Sequence, residues 1–226
     1  QLHSMNFITY ISDAAESSFA TGCFASDSLV TMADGSLKSI QDLNKGDKVL
    51  TADPFTGEIT TDTVVTFLDI NKNKTNKFTK IIHDNGEITL TDYHLIYAGL
   101  SKDAKDSAAI FAKDLTEQHY VFQLSNATLT SYKIRRVLKV TKRGYYAPLT
   151  LSGNIIVNGV VSSCYASVSN QWLGHIAMFP VRFFHKLQVG LGTFKPLVFH
   201  EDMFLSADGI HWYAKLLIQF FPYLLS

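Results

Sequence analysis

The sequence predicts a mainly β fold, built from two similar β-subunits related by an approximate twofold and followed by a small helical tail. Three observations predict it. Short runs of β-branched and aromatic residues are separated by turn dipeptides such as Asp34-Gly35 and Asn158-Gly159. A segment of the first half recurs in the second. Beyond residue 167 charges become scarce and Trp, Phe, Leu, Met and His take over.

Residues 1–22 carry little pattern and read as a linker or the tail of an upstream domain. Ser28 to Met32 is an apolar strand, and Ala33-Asp34-Gly35-Ser36 is the hairpin turn after it. Leu37 to Leu43 follows, then a turn at Asn44 to Asp47. Val49 to Thr51, Glu58 to Thr61 and Thr63 to Leu68 are strands, with Phe55-Thr56-Gly57 turning between the first two. Ser39 to Leu50 aligns with Phe111 to Phe122, where an Asp-Leu pair and a valine recur 72 positions later. A turn and a long strand follow each copy, Glu58 to Leu68 and Ala127 to Val140. Such a repeat implies two β-subunits that bury their apolar faces together, with a site where they meet. Ile88 to Tyr97 lies between the copies, a strand interrupted at Thr91 to His94. Gly144-Tyr145-Tyr146 reads as a turn before Ala147 to Thr150. Gly153 to Val157 and Val160-Val161 are strands joined by Asn158-Gly159, and Ser162 to Ala166 closes the β-rich part. Gln171 to Gln188 and His211 to Leu225 look helical, with Gly190 to Ser206 as a loop. Their apolar residues either complete the core or offer a surface to a lipid.

With 46% apolar residues the chain can bury a sizeable core. Lys+Arg equals Asp+Glu, so no net basic charge favours a nucleic acid. The longest apolar run, Leu216 to Leu225, is broken by Gln219 and Pro222, short of the roughly 18 residues a membrane span needs. Gln1 in place of a start methionine predicts a piece of a longer precursor. Asn73-Lys74-Thr75 and Asn126-Ala127-Thr128 are glycosylation-type triplets, which lean towards a secretory context.

The chemistry concentrates at Gly22-Cys23-Phe24, one of only two cysteine positions. Glycine leaves the preceding carbonyl unshielded. The thiol can attack it in an N-to-S acyl shift that converts the Gly22–Cys23 amide to a thioester. The alternative is a small buried apolar residue or half of a disulfide. Thr91-Asp92-Tyr93-His94 supplies what such a shift needs. Its histidine can shuttle a proton to the departing nitrogen, and its hydroxyl can hold the peptide. Thr91 and Asp92 are also residue types that cap a turn through backbone amides, so a capped turn with a half-buried histidine is the plainer alternative.

Taken in order, these motifs resemble the C-terminal autoprocessing domain of Hedgehog proteins and their nematode-type relatives. Gly22-Cys23-Phe24 is similar to the cleavage junction. Asp34-Gly35 through Gly46 to Leu50 resembles the first block of the Hint fold shared with inteins, and Thr91 to Leu95 the Thr-x-x-His block. Tyr146 to Thr150 and Val161 to Ala166 resemble Hedgehog strings, and Gly209 to Tyr213 a string of the sterol-recognition tail. The resemblance implies a Hint domain over 23–166 and a sterol or adduct recognition region over 167–226. It implies Cys23 as nucleophile, Thr91 and His94 acting on the scissile amide, and Asp69 of Phe67-Leu68-Asp69 as base for an incoming hydroxyl. Cys164 matches an accessory cysteine that can tune Cys23 or form a transient disulfide with it. Trp172, Phe183, Trp212, Tyr213 and Phe220 are the lipid contacts expected in the tail.

The implied reaction is autocatalytic cleavage after Gly22 and transfer of the upstream acyl group to cholesterol or a related lipid. No cofactor or metal is expected. The partners are that lipid, the upstream domain in cis and a membrane touched through the tail. Processing is expected in the endoplasmic reticulum, with the lipid-modified product secreted or at the cell surface. Gly190 to Ala207 departs from the family's tails, so the lipid stays open. The chain lacks the His-Asn ending of inteins, which argues against splicing. Two other readings remain at this point: a non-catalytic Hint-derived module that binds lipid or membrane, and cleavage with water as the acceptor.

Overall fold

The computed structural model describes residues 23–166, 176, 178–190, 211 and 213. Twelve strands form one continuous, strongly folded sheet: β1 Phe24–Ala25, β2 Leu29–Thr31, β3 Leu37–Ser39, β4 Lys48–Ala52, β5 Ile59–His83 and β6 Gly86–Leu90, then β7 His94–Gly99, β8 Ala108–Phe111, β9 Tyr120–Ser125, β10 Thr128–Thr150, β11 Asn154–Val157 and β12 Val160–Ala166. The order is β3-β2-β11-β12-β7-β9-β10-β1-β6-β5-β4, with β8 on β7. The fold is mainly β, as the alternation of strand residues and turn dipeptides predicts.

Two long antiparallel strands organise it. β5 begins as the partner of β4 (Ala52 opposite Ile59), and β10 begins as the partner of β9 (Ser125 opposite Thr128). Each then leaves its hairpin and runs along the other, from Val64 opposite Thr150 to His83 opposite Ile134. The approximate twofold passes through this ribbon, between the Asn71–Tyr145 and Thr75–Arg143 pairs. The aligned copies share local bonding. Asp47 N–H donates to Asn44 O, and His119 N–H, 72 residues on, donates to Thr116 O, both at 3.1 Å. Leu43 and its counterpart Leu115 are both buried.

Three details differ from the expectation. Strands expected at Glu58 to Thr61 and Thr63 to Leu68 are one strand of 25 residues. The polar run Asn71 to Lys77 extends because β10 pairs with it on an exposed ribbon, which no local pattern announces. At the predicted break, the Asp62 carboxylate accepts Ser152 N–H at 2.7 Å instead of ending the strand. Gly144-Tyr145-Tyr146 is not a turn but lies inside β10, opposite a bulge of β5: between the Arg143–Thr75 and Tyr145–Asn71 pairs one residue of β10 faces three of β5. Gly144 has φ +83, and a Cβ there would meet Ser26 Cβ at 3.0 Å and Lys72 O at 3.2 Å. Pro148, which has no N–H to give, sits at the next register shift.

Among the described residues two core clusters fill the interior; in the larger, Phe24, Val30, Val64, Phe78, Ile81, Ile88, Leu90 and Ile96 are fully shielded. Each such aliphatic side chain contributes about 1.5–3 kcal/mol on burial.

Helix α1, Phe179–Gly190, overlaps the stretch predicted as helical, Gln171 to Gln188, and runs two residues past its end. Pro180 is tolerated in its first turn, where no intrahelical N–H bond is lost. Met178 and Val181 pack on the larger core cluster, and the buried Arg182 donates from Nη1 to Leu151 O at 2.9 Å. Ile176, Phe179 and Phe183 face outward, 48, 56 and 44% exposed. This segment therefore does both things its composition allowed: one side completes the core, the other is apolar and open. The second predicted helical stretch lies outside the described residues except at His211 and Tyr213.

Candidate active site

β6 carries the chain to Leu90, which pairs with Phe24 of β1. The chain then turns, closed by His94 N–H on Thr91 O at 3.0 Å, and β7 starts at His94. This turn brings Thr91 onto Cys23 twice. Cys23 N–H donates to Thr91 Oγ1 at 3.0 Å, and Thr91 N–H donates to Cys23 O at 2.9 Å. The nitrogen held by the hydroxyl belongs to the Gly22–Cys23 amide. Cys23, Thr91 and His94 are each at most 2% exposed, so these bonds form away from competing water.

His94 is fixed on two sides. Its Nε2 lies 2.8 Å from Ser163 O on β12, and its ring centroid is 4.3 Å from that of Phe24. A carbonyl only accepts, so Nε2 carries a hydrogen, and in the neutral form of the ring the lone pair is on Nδ1. The imidazole is thus set in one tautomer next to the residue that follows Cys23.

Asp92 does not cap its turn through a backbone amide. Its Oδ1 accepts from Thr79 Oγ1 and from Lys139 Nζ, both at 2.6 Å. Burial pushes its carboxyl up, but the bonds from Lys139 and Thr79 outweigh this and hold it below the usual range. Thr79 pairs with Leu90 on one side and Lys139 on the other, so Asp92 ties the turn to β5 and β10.

Asp69 comes to the site through register. β1 sets Ala25 opposite Tyr145 and Phe24 opposite Tyr146. Ala147, the next residue along β10, pairs with Asp69 on β5, so Asp69 stands beside the strand that carries the partners of Phe24 and Ala25. Asp69 is buried, at 4% exposure.

Cys164 is buried on β12, its Sγ 3.5 Å from Thr150 Oγ1. No disulfide joins it to Cys23. Burial pushes its thiol up to about 12, which keeps it protonated at neutral pH. Among the residues expected to touch lipid, Phe183 is exposed and stacks on Phe179 with centroids 5.5 Å apart. Tyr213 is half-buried, and its N–H donates to His211 Nδ1 at 3.2 Å. Gly22, Trp172, Trp212 and Phe220 lie outside the described residues. Among the described residues no group of His, Cys, Asp and Glu could hold a metal ion.

Sequence reasoning did not single out Phe24, Ser163 or the Thr79–Lys139 support. Phe24 was adjacent to the nucleophile and carried an apolar signal. Ser163 acts through its carbonyl, which leaves no side-chain trace.

Comparison with known proteins bears on the family and the fold. The profile of the Hint module matches residues 11–226. The Tiggy-winkle hedgehog protein of Danio rerio is 34% identical over 221 residues, 94% of this chain and 51% of that protein. The hedgehog protein of Drosophila virilis is 33% identical over 215 residues, 90% of this chain and 44% of that protein. The chain thus spans about half the length of the curated relatives it matches. The crystal structure of a DnaB intein from Synechocystis sp. PCC 6803 superposes with a TM-score of 0.52 at 14% identity, covering 65% of this chain and 99% of the intein. That likeness bears on the fold, and it agrees with the two interlocked β-subunits described above. With a profile that extends over nearly all its residues, the chain belongs to the Hint module family.

Proposed function

We propose that the chain cleaves itself between Gly22 and Cys23 and passes the upstream acyl group to a lipid hydroxyl. The observation that carries this reading is the double hydrogen bond between Thr91 and Cys23, with His94 on the same turn. In the first step the Cys23 sulfur attacks the Gly22 carbonyl carbon. His94 Nδ1 takes the thiol proton and returns it to the Cys23 nitrogen as the C–N bond breaks. Thr91 Oγ1 keeps that nitrogen oriented, and a thioester and a free amine result. A thiol of ordinary pKa, about 8.5, is only a few per cent ionised at neutral pH, so the adjacent base matters. Holding thiol and carbonyl in one turn supplies an effective concentration of about 10⁵–10⁸ M.

In the second step the oxygen of an alcohol attacks the thioester carbon. Asp69 takes the hydroxyl proton, and the Cys23 thiolate leaves and is reprotonated. The products are an ester at Gly22 and a fragment that begins at Cys23. The acceptor is cholesterol or a related lipid, met by the region 167–226, while residues 23–166 perform the cleavage. Outward-facing Ile176, Phe179 and Phe183 support an apolar acceptor or a membrane surface near the site. Buried, protonated Cys164 acts here as a packing residue and not as a redox partner of Cys23. Processing in the secretory pathway, with a lipid-modified product at the cell surface, belongs to the same reading.

The test is incubation of the full chain with dithiothreitol, then with cholesterol in detergent micelles. A fragment beginning at Cys23 must appear with each, and Cys23→Ala must abolish both. Mass analysis of the upstream product separates an ester adduct from a free carboxylate made by water. Continued release from Cys23→Ala would assign the cut to an outside protease.

A further inference from the structure

The region after residue 166 returns to the β-body close to Asp69. His211 N–H donates to Leu68 O at 2.8 Å, one residue before Asp69 on β5. His211 is 5% exposed, although it lies 45 residues beyond the end of β12 at Ala166. Its Nδ1 accepts Tyr213 N–H at 3.2 Å, a side-chain-to-backbone bond across two residues that fixes the His211–Tyr213 turn. Burial, with Lys45 nearby, holds the imidazole neutral, which keeps Nδ1 available as an acceptor. A second contact lands on the adjoining strand. Arg182 Nη1 donates to Leu151 O, just past the Val64–Thr150 pair where the β5–β10 ribbon ends. Both contacts fall on the end of the ribbon that adjoins Asp69.

We propose that His211 is a positioning residue for the second step. It seats the C-terminal segment against β5 and so sets where an acyl acceptor stands relative to Asp69. The proposal rests on the lipid-transfer reading above. The main-chain bond of His211 is to Leu68, on the strand that carries Asp69, and not to the Thr91–His94 turn that holds the scissile amide, which assigns it to the second step. Its main-chain bond to Leu68 is available to any residue but proline. What the side chain adds is the acceptor for Tyr213 N–H, which holds that segment in the conformation that reaches Leu68.

The experiment compares the full chain with His211→Leu and His211→Asn. Asparagine can accept the same N–H through its Oδ1, whereas leucine fills the space without accepting. In His211→Leu, dithiothreitol-driven release of the fragment beginning at Cys23 should stay within about twofold of the parent. The cholesterol concentration for half-maximal rate should rise about fivefold, the effect of one lost neutral hydrogen bond. The maximal rate should change less. His211→Asn should restore most of that shift. Hydrogen exchange should quicken at residues 211 and 213 in His211→Leu and stay unchanged at Thr91 and His94. An unchanged cholesterol response in His211→Leu overturns the proposal, as does equal impairment in His211→Asn. Loss of the dithiothreitol reaction in His211→Leu also overturns it, because the residue would then support the whole fold. A parent chain that fails to release the fragment even with dithiothreitol refutes the cleavage reading instead, and the exchange measurement still decides whether His211 seats the segment.

Discussion

Thr91→Val tests the site most directly. Valine keeps the shape of threonine and removes the oxygen that accepts Cys23 N–H at 3.0 Å. That amide is buried, with Cys23 at 1% exposure, so no water replaces the lost partner. Leaving a buried donor unmet costs about 1–3 kcal/mol, and the folded state should lose about that much stability. The same oxygen orients the nitrogen that must leave. If the transition state of the acyl shift loses that much beyond the loss in the folded ground state, the first step slows about 5- to 150-fold, at 1.36 kcal/mol per factor of ten. The assay is dithiothreitol-driven release from the full chain at a temperature where both proteins are folded, with denaturant unfolding as the stability measure. Thr91→Ser keeps the hydroxyl and should recover most of the rate. Cleavage by folded Thr91→Val at the parental rate would refute the reasoning. So would a Thr91→Ser chain as slow as Thr91→Val, because the methyl group and not the oxygen would then be what counts.

Three further outcomes are expected. Asp69→Ala should leave dithiothreitol-driven cleavage within about twofold and reduce cholesterol-driven release about 10²–10⁴-fold, the range for losing a general base; equal loss in both would make Asp69 structural. Gly144→Ala, which forces a side chain onto φ +83 against Ser26 and Lys72, should destabilise the fold by about 1–3 kcal/mol and slow both steps, because Gly144 O accepts from Ser26 N–H, three residues along the chain from Cys23, and β10 pairs directly with β1; calorimetry and the two cleavage assays check it. Cys164, with its thiol pushed up to about 12, should react with iodoacetamide at pH 8 about a thousandfold more slowly than an ordinary thiol. Its folded pKa is raised, so its contribution to stability is complete below the unfolded value near 9 and is lost as pH rises towards 12. Cys164→Ala should flatten that alkaline decline in denaturant titrations.

The parts of the site that are local in sequence could be read from it. Gly22-Cys23 and Thr91 to His94 are short strings whose residue types suit their chemistry, and Asn158-Gly159 adopts the positive φ values its turn requires. The repeat was legible because Leu43 and Leu115 answer to the same packing need in each copy. What depends on a distant partner was not. Asn71 to Lys77 has no strand signature, and only pairing with β10 extends it. The glycine at 144 looked like a turn because β1 and β5, which keep β10 extended there, lie far away in sequence. Asp92 suited a cap, yet Lys139 and Thr79 compete successfully for its carboxylate. Arg182 left a faint signal, a cation within an apolar stretch, but its acceptor is a main-chain oxygen.

The burial of Cys23 has a consequence for direction. Once the acyl group has moved to sulfur, the Cys23 nitrogen becomes a primary amine in the same dry place, still beside Thr91. A dry environment disfavours its ammonium form. An uncharged amine retains its lone pair and can recapture the acyl group from the neighbouring thioester. The rearrangement is then a see-saw between amide and thioester, tipped only when an outside nucleophile carries the acyl group off. Each molecule commits once, at the moment the acceptor arrives.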